Sequence, residues 1–207
     1  PIEIVSADGS HFTDAKGRRI LDLASLALNA SAALRHPRIA EAIARQAEVL
    51  PAAGPKMATS IRGRYGEALS RVTPKGLDTF LFTLGGADAN EHAIKIARLV
   101  TGRAKIVTRY RSYHGATLGA LAATGDSRRL PFEPGLPGVV RVLDPYCYRC
   151  PFGWTPELCK RPCIDHVDEV IRHEGASSIA AGLVEAVVGT NGAFWGPPEN
   201  PSRLRET

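Results

Sequence analysis

Two glycines separate an apolar run from a helical pattern. Phe80-Leu81-Phe82-Thr83-Leu84 precedes Gly85-Gly86, and Ala89, Ala93, Ile96, Ala97 and Val100 then recur at helical spacing. Glycine lets a backbone approach a ligand closely, and the unpaired amides of a helix N-terminus bind anions, phosphate above all. After the next apolar run, Lys105-Ile106-Val107-Thr108-Arg109, comes Tyr113-His114-Gly115. A ring there can stack on a flat ligand, and an imidazole beside it can hydrogen-bond one. If both apolar runs are parallel strands, both motifs lie at the carboxyl edge of one sheet, where α/β proteins bind ligands. The pair describes a seat for a flat, phosphorylated cofactor. Each motif alone also reads as an ordinary turn or loop.

The elements that must position these residues alternate. Short strands are expected at 2–5 and 19–23, around the turns Asp8-Gly9 and Lys16-Gly17. Pro37 opens a helix to residue 50, with Ile39, Ile43 and Leu50 on one face, and a second helix spans 63–72. The strand 80–84 leads through the glycine turn to a helix with Asp88 as N-cap and Gly102 as its stop. A strand at 105–109, a helix at 116–123, a strand at 139–143, a helix at 165–173 and a strand at 179–185 follow. This alternation predicts an α/β fold: a mainly parallel sheet with helices on both faces, plus a short N-terminal β/α segment.

With these segments in view, the chain resembles the class III, ω-aminotransferase-like, fold-type I pyridoxal-phosphate-dependent aminotransferases. The matching stretches are Phe82 through Arg98, Arg109-Tyr110-Arg111-Ser112-Tyr113-His114-Gly115-Ala116-Thr117 and Val184-Glu185-Ala186-Val187-Val188-Gly189, with Leu21-Asp22-Leu23 and His36-Pro37-Arg38 in support. The resemblance implies pyridoxal 5'-phosphate as cofactor. It implies that Gly85, Gly86 and Ala87 hold the phosphate, that Tyr113 stacks on the pyridine ring with His114 beside it, and that Glu185 lies near cofactor and substrate. Asp88 stands where the family more often has glutamate. The family usually reads Glu-Pro where Glu185-Ala186 stands. It usually has Gly-His before His-Pro where Ala33-Leu34-Arg35 precedes His36-Pro37. Alanine cannot always take a glycine conformation.

The family's catalytic lysine and the aspartate against its pyridine nitrogen have no match here. The lysines are Lys16, Lys56, Lys75, Lys95, Lys105 and Lys160, none in the family's catalytic context. No residue is therefore assigned a catalytic role, and none is assigned to a catalytic metal. The expectation is the N-terminal half of such an enzyme, a fragment inactive alone: 1–50 from the small domain, 51–207 an incomplete cofactor-binding large domain. The family's reaction moves an amino group from an amine or amino acid donor to a keto acid. The resemblance also implies a cytoplasmic homodimer. A non-catalytic paralogue that pairs with a complete enzyme or binds a phosphorylated ligand is the alternative, and a zinc-organised interaction domain is a third.

Composition bounds the rest. The 207 residues carry a net charge of +5, but the arginines are scattered with no basic block or aromatic-basic stripe, so nucleic acid is not an expected partner. No apolar run is long enough to span a bilayer, so no membrane is expected. All four cysteines, Cys147, Cys150, Cys159 and Cys163, fall in one proline-rich insertion near 145–163. Their spacing, C-x2-C-x8-C-x3-C, suits a tetrahedral structural zinc site. Disulfides and free thiols are the other readings.

Overall fold

The computed structural model describes residues 1–206. The chain divides into two compact units, Pro1–Phe80 and Leu81–Thr207.

In the first unit, β1 (Ile4–Asp8), β2 (His11–Asp14) and β3 (Arg19–Leu21) form an antiparallel meander. β2 was not expected, because a short run such as His11-Phe12-Thr13-Asp14 shows no apolar signal. Its pairing on both sides makes it a strand, with Phe12 opposite both Ala7 and Ile20. Asp14 closes the next turn, accepting from the amides of Lys16 (3.0 Å) and Arg18 (2.8 Å). Helices follow at Pro37–Val49, with proline in its first turn, and Ser60–Ser70. Thr59 caps the latter, accepting from the Arg62 amide at 3.5 Å.

Ala33, where the family pattern favours glycine, has φ +79°. An alanine in this left-handed region is held against its own Cβ. Ala33→Gly is expected to raise stability by about 1 kcal/mol, read as a higher denaturant midpoint at unchanged slope. A midpoint that stays or falls would show that the site carries no strain.

The second unit is built on a three-stranded parallel sheet in the order β5-β4-β6: β4 (Lys105–Arg109) in the centre, β5 (Val139–Val142) and β6 (Ile179–Gly182) flanking it. Successive side chains of a strand point to opposite faces, and β4 shows this directly. Ile106 packs with Ile94 of the Gly86–Thr101 helix and Ala123 of the Leu118–Ala123 helix. Val107 packs with Val142, Val167 of the Pro162–Glu174 helix and Leu204 of the Asn200–Glu206 helix. Helices therefore cover both faces, as expected. A hairpin of β7 (Val187–Val188) and β8 (Phe194–Trp195) follows β6.

Two sequence expectations fail here. Residues 80–84 form no strand, because an apolar run becomes a strand only when a neighbour pairs with it, and no ladder forms on it among the described residues. The helix after it begins at Gly86 with Gly85 as N-cap, and Asp88 lies inside the first turn. Asp88 instead reaches back to the Leu84 amide at 3.4 Å. Gly102 does end this helix, at φ +67°.

Candidate functional site

The glycine turn presents an open helix end. The first helical bond runs from the Ala89 amide to the Gly85 carbonyl at 3.0 Å. The amides of Gly86, Ala87 and Asp88 therefore precede the ladder and face outward along the axis. Gly85 is extended, with φ −175°. A Cβ added at Gly85 or Gly86 would meet nothing within 4 Å. Neither glycine is required by the chain's own packing or, at Gly85, by its backbone angle.

The Tyr113 loop meets this turn through Gly115. Gly115 has φ +134°, and a Cβ there would lie 2.4 Å from the Ala87 Cβ and 2.7 Å from its Cα. Only glycine lets the two motifs touch. Asn90, one turn into the same helix, donates its amide to the His114 carbonyl at 2.6 Å. Its neighbour Glu91 accepts from the Thr117 hydroxyl (2.7 Å) and the amides of Gly119 (2.8 Å) and Ala120 (3.1 Å). Thr117 occupies the N-cap of the Leu118–Ala123 helix but makes no side-chain cap. Glu91 does that work from another helix.

The loop is also clamped from both flanking strands. Beyond β5, Asp144 accepts from the Arg111 amide at 2.9 Å. Beyond β6, Glu185 accepts from the Tyr113 amide at 2.7 Å, and its other oxygen accepts from the Gly189 amide at 3.0 Å. Parallel strands put all three carboxyl ends on one edge, so a carboxylate from each neighbour can reach the central loop. Burial raises the pKa of the Asp144 carboxyl, against the pull of the Arg111 amide and the Arg109 guanidinium.

The Tyr113 ring is half-buried, and the Arg128 guanidinium lies over it at 4.2 Å from the centroid. Asp126 holds Arg128 at 2.7 Å, and Asn191 donates to Asp126 at 3.0 Å. His114 is 6 % exposed and turns into the protein. Its Nε2 lies 3.1 Å from the Thr108 hydroxyl, whose single proton goes to the Ala123 carbonyl at 2.8 Å. Thr108 must then accept from His114, which fixes the Nε2–H tautomer. Burial lowers the His114 pKa, with the Glu185 charge opposing.

The structure thus brings Gly85, Gly86, Ala87, Tyr113, His114 and Glu185 to one sheet edge. It adds Asn90, Glu91, Asp144 and Asn191, whose partners are distant in sequence, together with Thr108, Asp126 and Arg128. Lys105 lies at the opposite end of β4, its Nζ 2.6 Å from the Glu174 carboxylate. Lys95 is nine residues along the helix from Gly86, about 14 Å up its axis.

Burial of a neutral histidine gives a pH dependence. The folded pKa lies below the unfolded value of about 6.5, so protons favour the unfolded chain as pH falls below it. Between that point and the folded pKa, stability should fall by at most about 1.4 kcal/mol per pH unit from this group. His114→Gln, which keeps a donor for Thr108, should flatten that slope in unfolding measured from pH 7.5 to 5.5. An unchanged slope would assign it elsewhere.

The chain matches the aminotransferase class-III family over residues 1–207. It is 32 % identical over 211 residues to the diaminobutyrate–2-oxoglutarate aminotransferase of Haemophilus influenzae, covering 100 % of this chain and 46 % of that protein. It is similar to the crystal structure of taurine:2-oxoglutarate aminotransferase from Bifidobacterium kashiwanohense in complex with pyridoxal phosphate and glutamate. That TM-score is 0.90 at 38 % identity, over 100 % of this chain and 47 % of that one. A thermostable (S)-enantioselective ω-transaminase from Thermomicrobium roseum gives a TM-score of 0.91 at 34 % identity, over 100 % and 49 %. The chain spans about half the length of these relatives, and their fold is the fold-type I architecture of pyridoxal-phosphate-dependent transferases. A central parallel strand, an open helix end and a clamped aromatic loop at its carboxyl edge agree with that match, and the chain belongs to the class-III aminotransferases.

Proposed function

We propose that this chain carries the phosphate- and ring-binding half of a pyridoxal-phosphate-dependent aminotransferase site. The observation that carries the reading is the contact of Gly115 on Ala87. It sets an anion-binding helix end beside an aromatic loop, which is the arrangement a flat, phosphorylated cofactor requires. The cofactor, when bound, supplies an electron-withdrawing ring that carries the amino group between donor and keto acid. In this reading the amides of Gly86 and Ala87 bind the phosphate, with Gly85 leaving room for it. Tyr113 packs against the ring. Glu185 and Asp144 hold the Tyr113 loop through its amides. His114, neutral and bonded to Thr108, braces the loop from beneath. Amine or amino acid donors and keto acid acceptors are the substrates.

None of the six lysines serves as the catalytic amine in this proposal. Lys105 is paired at the wrong edge of the sheet and Lys95 sits well up the helix. Among the described residues no helix is long and apolar enough to cross a membrane. The cytoplasmic location proposed here rests on the family resemblance alone. We also propose a homodimer, supported by the exposure of Ile43 (65 %), Leu84 (103 %) and Leu99 (84 %). A non-catalytic partner of a complete enzyme is the second reading.

Pyridoxal phosphate added to the purified chain should bind saturably at one site per chain. Borohydride treatment and mass spectrometry should then find no specifically modified lysine, and no transamination should be measurable. Absence of saturable binding would overturn the cofactor assignment. Stoichiometric trapping at one lysine together with turnover would overturn the claim about the lysines. Sedimentation at micromolar concentration should show a dimer, and a monomer would contradict the assembly.

A further inference from the structure

We propose that the turn of the β7–β8 hairpin positions the Tyr113 ring for the cofactor, acting through Asn191, Asp126 and Arg128. The proposal rests on the reading of Tyr113 as the ring that packs on the cofactor.

A loop aromatic is held by its backbone and, separately, by whatever stops its ring from turning. The Glu185 carboxylate fixes the Tyr113 amide at 2.7 Å but not the two side-chain torsions beyond it. Among the described residues the Tyr113 hydroxyl takes no hydrogen bond. The Arg128 guanidinium lies against the ring instead, 4.2 Å from its centroid.

Arg128 is itself oriented. It belongs to the 3-10 helix Ser127–Phe132, which Asp126 caps. One Asp126 oxygen accepts from the Arg128 amide at 2.9 Å. The other accepts from Arg128 Nε at 3.0 Å and Nη2 at 2.7 Å. Both of those bonds use one edge of the guanidinium, which leaves its flat face for the aromatic ring. The carboxylate is fixed in turn. The preceding Gly125 lies so close to the end of β4 that a Cβ there would collide with the Arg109 carbonyl oxygen, and its amide donates to the Ser112 carbonyl at 3.0 Å. Asn191, in the hairpin turn, donates at 3.0 Å to the same Asp126 oxygen that holds the guanidinium.

The hairpin turn also reaches the Tyr113 backbone. It closes with the Ala193 amide on the Gly189 carbonyl at 3.1 Å. Gly189 donates its own amide at 3.0 Å to Glu185, whose other oxygen holds the Tyr113 amide. One short turn therefore fixes Tyr113 at its amide through Glu185 and at its ring through Asp126 and Arg128. The Arg128 side chain is 46 % exposed, and an ion pair so exposed adds little to stability. What the arrangement contributes is a ring ordered before the ligand arrives, which removes that ordering cost from binding. Arg128 and Asn191 are positioning residues in this proposal.

Arg128→Gln keeps a donor for Asp126 and removes the cation. It should weaken pyridoxal phosphate and pyridoxal alike by about fivefold in fluorescence titration, because ring packing is common to both ligands. Asn191→Ala should weaken both by about threefold, and Arg128→Lys, which restores a cation, should bind within about twofold of the parent. In a Tyr113→Leu chain, neither Arg128→Gln nor Asn191→Ala should change binding by more than about twofold, since both act through the ring. On the unliganded chain, nitration of Tyr113 relative to the exposed Tyr148 should rise at least about twofold in Arg128→Gln and in Asn191→Ala. Unchanged binding in Arg128→Gln would overturn the proposal, and so would an equal loss with and without the Tyr113 ring. A loss confined to pyridoxal phosphate would overturn it as well, by making Arg128 a phosphate contact. A parent chain that binds neither ligand would overturn the cofactor reading and this proposal with it. Nitration separates the two failures, because it reads the hold on the ring with no ligand present.

Discussion

Gly115→Ala should cost the folded chain roughly 3 kcal/mol, the sum of an overpacked contact and a backbone angle that alanine resists. The new Cβ would lie 2.4 Å from the Ala87 Cβ, 2.7 Å from its Cα and 3.1 Å from the Ala120 Cβ, at φ +134°. No flexible side-chain end is available to move aside. Either the glycine turn or the Tyr113 loop must retreat, so binding of pyridoxal phosphate should fall with stability. Gly86→Ala supplies the contrast, because a Cβ there meets nothing. It should leave stability within about 0.5 kcal/mol and affect binding alone. Chemical unfolding of both variants checks this. A Gly115→Ala chain as stable as the parent would show that the two motifs do not depend on that contact.

Glu91→Ala should be the next most costly change, at about 2 kcal/mol. One carboxylate oxygen serves three donors, Thr117, Gly119 and Ala120, and replaces the missing cap of the Leu118–Ala123 helix. That helix carries Ala123, whose carbonyl fixes the Thr108 hydroxyl and through it the His114 tautomer. Loss of Glu91 should therefore loosen the Tyr113 loop as well as the helix. Hydrogen bonding, led by Thr117, holds the Glu91 pKa below the ordinary carboxylate value, against the effect of burial. A carboxyl depressed in the fold stabilises above its unfolded pKa of about 4.3 and loses that contribution as pH falls through the folded pKa. The parent should thus lose stability on acidification below that range, and Glu91→Ala should lose less. Parallel acid unfolding curves would show that Glu91 is not the group concerned.

The parts of this site that are legible in sequence are those with local causes. Ile106 and Val107 announce a strand by composition, and Pro37 announces the start of its helix. Gly85-Gly86 before a periodic run marks the turn, and Tyr113 after the strand is placed at the correct edge. The failures have tertiary causes. Phe80 to Leu84 has strand composition but takes no strand conformation among the described residues. His11 to Asp14 has little strand signal yet pairs on both sides. Asp88 has the composition of a cap, but the preceding glycine takes the position and the aspartate bonds backwards to Leu84. Glu185 is legible as a strand-end carboxylate, whereas its bonds to the amides of Tyr113 and Gly189 are written only in the fold. Asp144 and Glu91 also act on segments well separated in sequence and leave no local mark.

On this reading the Gly85-Gly86-Ala87 turn holds a phosphate. Titration of the chain with pyridoxal phosphate and with pyridoxal, read by fluorescence, tests it most directly. Two or three charge-assisted bonds from backbone amides predict that the phosphorylated ligand binds at least about 100-fold more tightly, about 2.7 kcal/mol. Gly86→Val, which fills the open side of the turn, should weaken pyridoxal phosphate at least tenfold and leave pyridoxal within about twofold. Equal affinity for the two ligands, or equal loss of both in Gly86→Val, would contradict the assignment.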